Sequence, residues 1–463
     1  MLSVFGLVED VWRGIEGAAL PAPVIRLGVT GLSRAGKTVF ITNLVANLLE
    51  RGRMPQLTAR DRIEAVYLQP QPDMTLPRFA FEDHLAAVTG DDPRWPQSTR
   101  AVSELRLSFR VRGRGFIGGL SGPRVLHVDI VDYPGEWLLD LSLLDKSYED
   151  WADGVLGRIA KRTESRDFMA LARAEDGALR LEEPKAMELA ASFTSYLNAA
   201  RAAGWADCTP GRFLLPGDLA GSPVLTFAPL PKPALTPRGC LWLAMQARFN
   251  AYKSQVVRPF FRDHFAKIDR QVVLVDVLGA IHQGPRAVED LRRTMAEVLS
   301  AFRPGRSRWL DRLTGGRRVG RILFAATKAD HLHHRQHPAL TAITEALLRD
   351  AKARADFAGA ETMALSLASL RCTVETEVQR GGETLDAVRG RLAGGRQVAM
   401  YAGELPTDPA RILAPAREGA AHWLNADFAL MGFEPARMTR RPGEGPPHIR
   451  LDRAAEFLIG DKL

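Results

Sequence analysis

The chain has 463 residues, with 62 Lys and Arg against 54 Asp and Glu, for a formal net charge of +8. Hydrophobic residues at 46% and charged residues at 25% are ordinary globular values, which exclude a disordered or fibrous chain and allow about two to three domains. A charge of +8 over this length names no partner, and no apolar run approaches the ~18 residues of a membrane span.

The opening MLSVFGLVEDVWRGIEG lacks a basic leader and carries Glu9 and Asp10 where a signal peptide would be apolar. It is expected to form an amphipathic helix within 1–22, with Leu2, Phe5, Val8 and Trp12 on one face. Three scattered cysteines (Cys208, Cys240, Cys372) build no disulfide framework, so a reducing, cytoplasmic compartment is expected.

Val24 to Thr30 is a short β-branched run ending in a Gly-rich turn, and FITNLVANLLERG from Phe40 has helical spacing with a Gly stop. Strand, turn and helix open a parallel α/β unit. Residues 52–100 are polar and Pro-rich and read as a long connection with one short helix. SELRLSFRV (103–111) and VLHVDIV (125–131) form a hairpin, so one antiparallel strand joins a mostly parallel sheet. Residues 138–268 lack a βα rhythm and read as an inserted helical subdomain. The core resumes over 269–390, with strands at 271–278, 321–327 and 362–369 and helices at 285–302 and 338–353. Residues 391–463 form a C-terminal extension with a strand-like QVAMYAG and a closing helix at RAAEFLIG.

Gly31-Leu-Ser-Arg-Ala-Gly-Lys37-Thr38 matches G-x-x-x-x-G-K-[ST] between a strand and a helix, the context that phosphate binding requires. Glycines allow tight curvature, the N–H groups of Ser33 through Val39 (with Arg34, Ala35 and Gly36 between them) encircle phosphate oxygens, and the helix N-terminus adds positive potential. Lys37 is expected on the β- and γ-phosphates and the Thr38 hydroxyl on Mg²⁺. Asp132-Tyr-Pro-Gly135 closes the next strand: Asp132 can hold Mg²⁺, and Gly135 can offer its N–H to the γ-phosphate. Asp129 is the competing acid, but it lies inside the strand without a Gly partner. Thr327-Lys328-Ala329-Asp330 follows RILFAA, where a carboxylate can accept from guanine N1–H and N2–H₂; adenine offers no such pair. The Lys328 stem can lie over the base, and His331 follows it.

These three motifs together resemble the Ras-like GTPase superfamily. GLSRAGKT, WPQSTRAVSELRL, VDYPGEW, FAATKADH and HIRLDRAAEFLIGDKL resemble more closely the YcjX family of bacterial stress-associated P-loop proteins, over nearly the whole chain. The resemblance implies an α/β fold: a Ras-like P-loop core over 23–137 and 269–390, with a mixed, mostly parallel sheet, a long switch-I insertion at about 52–100, the helical insertion and the C-terminal extension. It also implies GTP/GDP and Mg²⁺ as ligands and a link to envelope stress. On the superfamily pattern, a switch-I metal ligand falls on Thr99, with Ser98 as fallback, and the base-contacting loop on Ala368, Ser369 and Leu370.

Glu136 stands where Ras-like enzymes commonly carry a water-positioning Gln, so it can orient the water or remain a surface acid. Trp137 reads as packing against the insertion. Arg34 can place a fixed cation beside the phosphates, in place of a potassium ion, or face solvent on the loop rim. His331, His333, His334 and His337 lack a second ligand set, so a solvated or base-flanking role is expected rather than a metal site. Residues 303–319 carry six arginines against one Asp and either dock on anionic lipid, at the inner membrane, or on an acidic partner, or simply form a solvated connection. No nucleic-acid module is visible. The function expected is a slowly hydrolysing GTP switch with Lys37, Glu136, Arg34 and Thr99 in catalysis and a protein partner on the helical insertion. A nucleotide-holding module and an ATPase are the competing readings.

Overall fold

The computed structural model describes residues 22–32, 35–97, 101–113, 122–300, 319–357, 359–423, 428–439 and 441–463. Its centre is a seven-stranded sheet of β1 (Val24–Gly31), β2 (Ile63–Gln69), β3 (Ser103–Val111), β4 (Arg124–Asp132), β5 (Arg270–Val275), β6 (Arg321–Ala326) and β7 (Glu361–Ser366). The order is β2-β3-β4-β1-β5-β6-β7. β3 pairs antiparallel with both β2 and β4, and all other pairs are parallel, so β3 alone runs against the sheet.

The inner strands are buried on both faces, which explains why RQVVLV and RILFAA are continuously apolar rather than alternating. Val272, Leu274, Leu323 and Ala325 join a core with helix α1 (Lys37–Glu50) and the closing helix Leu451–Ile459. Val273, Val275, Ile322 and Phe324 join the opposite core, which continues into the helical insertion. α1 is buried from Phe40 to Leu48, and its interior amide nitrogens donate locally: Asn43 Nδ2 to Val39 O (2.8 Å) and Asn47 Nδ2 to Asn43 O (2.9 Å).

The insertion is helical, with Tyr148–Ile159, Arg166–Ala174, Glu183–Ala202 and Leu241–Tyr252 as its longer elements. Its core is aromatic: Trp151 stacks on Phe249 with centroids 4.9 Å apart and meets Phe193 and Phe227 edge-on. This aromatic cluster is continuous with the core on that face of the sheet.

Several expectations change. The connection at 52–100 contains β2 as well as the helix Phe81–Thr89; β2 takes its pairing from β3 and leaves most of its side chains half-exposed, so IEAVYLQ shows little pattern. β5 stops at Val275, because Asp276 Oδ1 accepts from Gly279 N (2.9 Å) and turns Val277 and Leu278 into the helix Val277–Gln283. The helix expected at 338–353 is two, His337–Leu347 and Arg349–Phe357. The junction expected at 390 falls inside β9 (Glu383–Leu392), which pairs antiparallel with β8 (Thr373–Arg380), β10 (Gln397–Met400) and β11 (Phe433–Glu434) in a second sheet. The expected N-terminal helix and nearly all of the basic stretch lie outside the described residues. Among those described, no helix is long and apolar enough to cross a membrane.

Candidate nucleotide site

β1 is the innermost strand and pairs with β4 and β5, so its C-terminal turn opens between the ends of both. In register, Val29 lies opposite Asp132 and Gly31 opposite Leu274. A Cβ on Gly31 would stand 2.9 Å from the Leu274 carbonyl oxygen, so the turn needs glycine. Gly36 has φ 82, a left-handed geometry that side chains resist. It opens α1 with no side-chain cap, which leaves the first N–H groups of the helix to an anion. Ser33 and Arg34 lie outside the described residues, as do Ser98 and Thr99.

Asp132 ends β4 and is 1% exposed. Asp129, the competing acid, gives both carboxylate oxygens to Arg106 on β3 (2.6 and 2.8 Å). After Asp132 the chain turns into the short helix α2 (Gly135–Leu139). A Cβ on Gly135 would collide with the carbonyl oxygen of Gly31, so the two motif glycines lie backbone to backbone.

Each side of α2 is held by the insertion. Glu136, 6% exposed, pairs with Arg201 Nη2 at 3.4 Å, from the last turn of helix α3 (Glu183–Ala202). Trp137 Nε1 donates to Leu215 O (3.1 Å), the Arg212 guanidinium lies 3.2 Å above its ring, and Phe260 meets it edge-on. Just beyond α2, buried Asp140 accepts from Gly211 N (2.7 Å) and Tyr252 OH (2.5 Å). Burial pushes its carboxyl up to about 7.

The opposite end of the site follows β6. Lys328 takes φ 61, and its ammonium pairs with Asp276. Asp330, 4% exposed, accepts from Cys372 N at 2.9 Å, and its own carbonyl accepts from the Thr373 hydroxyl. The residues after β7 thus hold both the Asp330 carboxylate and its backbone. His331 is buried, with no hydrogen-bond partner for Nδ1, and meets Phe433 edge-on at 5.2 Å. Burial lowers its pKa, favouring the neutral imidazole. Ala368 exchanges backbone hydrogen bonds with Ile449 (3.1 and 2.8 Å), so the C-terminal segment clamps the loop of Ala368, Ser369 and Leu370.

These pieces surround one cavity of about 390 Å³, within the range of small-molecule sites. Ala35, Gly36, Lys37, Thr38, Val39 and Glu136 line one part of it. Thr327, Lys328, Asp330, His331, Ala368, Ser369 and Leu370 line the rest. Gly135 and Asp132 are not among the residues that line it. The structure adds Trp95, Pro96, Gly432 and Phe433, which sequence reasoning missed. Trp95 Nε1 donates to Phe433 O (2.9 Å), which pins the long connection to the small sheet beside the cavity. An aromatic residue in an otherwise polar, Pro-rich loop was the available signal for Trp95; the two-residue strand around Phe433 offers none.

Of the four clustered histidines, His337 Nε2 hydrogen-bonds Ala329 O (2.8 Å) in the turn after β6. His333, His334 and Glu375 bring ligand atoms within 4.8 Å of one another. The Arg335 guanidinium on neighbouring Asp386 (3.0 Å) adds positive charge there, and His334 Nδ1 is bonded to Glu375 (2.9 Å). That arrangement suits ion pairing better than a metal.

A parallel sheet with a Gly-rich turn from its innermost strand into a helix, flanked by the D-x-x-G and T-K-x-D strand ends, defines a P-loop nucleotide-binding core carrying helical insertions. The chain belongs to the YcjX-like family, DUF463, whose model matches residues 25–463. It is similar to the Ras-like GTPase YcjX of Escherichia coli K12, 38% identical over 456 residues that cover 95% of this chain and 96% of that one. It is also similar to the Ras-like GTPase YcjX of Shewanella oneidensis MR-1, 33% identical over 471 residues, 95% of this chain and 94% of its relative.

Proposed function

We propose that this protein is a GTP-binding switch that slowly hydrolyses GTP to GDP and phosphate. The carrying observation is Asp330, a buried carboxylate at the base end of a cavity whose other end holds Lys37 and Thr38. One Asp330 oxygen already takes the Cys372 N–H. The remaining acceptor capacity matches the N1–H and N2–H₂ of guanine, and adenine would leave it unsatisfied at a cost of about 1–3 kcal/mol. The relatives named as Ras-like GTPases support the same reading.

In this reading Lys37 and the α1 N-terminus bind the β- and γ-phosphates. The Thr38 hydroxyl and the Asp132 carboxylate are hard oxygen donors at the phosphate end, a set that suits Mg²⁺, which would neutralise phosphate charge there. Gly135 reports the γ-phosphate to α2, and Glu136 orients the water. Because α2 is bonded to the insertion through Glu136 and Trp137, a change at Gly135 passes directly to the surface that would recruit a protein partner. A role in envelope stress rests on the family resemblance alone.

The test is to extract and identify the nucleotide that co-purifies with the protein, then titrate GTP against ATP. GTP or GDP should be recovered and should bind at least tenfold more tightly than ATP. Equal affinity for ATP would overturn the guanine assignment.

A further inference from the structure

Glu136 occupies an awkward electrostatic position. It lines the nucleotide cavity beside Lys37 and Thr38, where the terminal phosphate of a triphosphate would lie. Its backbone cannot retreat: Gly135 is pressed on Gly31, and a Cβ on Gly211 would collide with the Glu136 carbonyl oxygen. A buried carboxylate fixed near a γ-phosphate repels it, and this repulsion is absent for a diphosphate. Charges a few ångströms apart in a protein environment alter affinity on the order of tenfold or more.

Glu136 also lines a second, smaller cavity of about 100 Å³, whose wall includes Arg201, Asp276 and Gln283. Among the described residues, the cations lining the two cavities are Lys37, Lys328 and Arg201. Lys328 is paired with Asp276, and Lys37 belongs to the phosphate loop. Arg201 is the cation within reach of Glu136, at 3.4 Å, and the pair is largely shielded, with side chains 28% and 8% exposed.

We propose that Arg201, supplied by the helical insertion, is a specificity-determining residue that neutralises and positions Glu136, so that a triphosphate binds without repulsion from that carboxylate. The assignment rests on the GTP-binding reading above. It gives the insertion a direct part in ligand discrimination: any movement of α3 that separates Arg201 from Glu136 disfavours GTP while leaving GDP bound.

The experiment measures dissociation constants of fluorescent GDP and a fluorescent non-hydrolysable GTP analogue, with Mg²⁺ held constant, for the parent, Arg201→Ala, Arg201→Lys, Glu136→Gln and the Arg201→Ala/Glu136→Gln double variant. Arg201→Ala should weaken the analogue roughly tenfold with GDP affinity nearly unchanged, which also shows that the variant is folded. Arg201→Lys should retain most of the analogue affinity. The double variant should recover the loss, because no carboxylate remains to be neutralised. Equal losses for both nucleotides, or no recovery in the double variant, would overturn the proposal. A parent protein that binds neither guanine nucleotide would instead sink the GTP reading on which it stands.

Discussion

Gly211 of the helical insertion lies directly on the backbone carbonyl of Glu136, close enough that a Cβ at 211 would overlap the oxygen. Gly135, one residue earlier, lies in the same way on the carbonyl of Gly31. Phosphate loop, α2 and insertion are thus stacked backbone on backbone, where no flexible side chain can absorb a shift. Gly211→Ala should force the insertion away from α2 at a cost of about 1–3 kcal/mol. Thermal melting should show the loss. Hydrogen exchange should also show that GDP and GTP-analogue states, distinct in 138–268 in the parent, become more alike in the variant. A variant with parental melting and parental exchange differences would show that this contact transmits nothing.

The base preference should reside in Asp330. Asp330→Asn places an amide donor where guanine presents donors, so GTP affinity should fall by about 1–3 kcal/mol, roughly 10- to 100-fold. Xanthosine nucleotides, which offer an acceptor in place of the 2-amino group, should bind the variant better than guanosine nucleotides. Competition titrations with the two nucleotide series provide the check. An unchanged GTP affinity would mean that the carboxylate does not read the base.

Lys37→Ala and Thr38→Ala should separate the two halves of phosphate recognition. The first removes a charge from the phosphate end of the cavity, and affinity for GTP and GDP should drop by tenfold or more. The second should leave metal-free GDP binding nearly intact but weaken the Mg²⁺ dependence of nucleotide affinity. Both should abolish turnover. Parental hydrolysis in either variant would remove the phosphate loop from the mechanism.

Asp140 predicts a pH signature. Burial raises its carboxyl from the ordinary value near 3.8 to about 7, despite the hydrogen bonds from Tyr252 and Gly211 that oppose the shift. Between those values the folded chain holds a proton that the unfolded chain has lost, so the stabilisation from the protonated form fades as pH rises toward 7. Asp140→Asn imitates the protonated carboxyl at every pH. Its stability relative to the parent should therefore increase with pH between about 4 and 7, by up to about 1.4 kcal/mol per pH unit. Denaturant melts of both proteins across that range would show parallel stability curves if Asp140 were instead ionised throughout.

Much of the fold was legible because its signals are local. The apolar runs of β5 and β6 reflect burial on both faces, and the sequence of β3 alternates apolar and polar in period two. The phosphate loop is a strand, a Gly-rich turn and a helix start within one short segment, so residue type and spacing alone specified a nucleotide-binding class. β2 and β8 escaped because their side chains are largely half-exposed or exposed and their strand character comes from the neighbour they pair with. The Trp95–Phe433 contact, the hydrogen bond to Asp330 and the pairing of Glu136 with Arg201 were decided only by the tertiary structure. Trp95 meets Phe433 across 338 positions, Asp330 meets Cys372 across 42, and Glu136 meets Arg201 on a helix of the insertion. No periodicity or spacing rule encodes such pairs: each depends on the packing of whole elements, which brings two distant backbones within hydrogen-bonding reach.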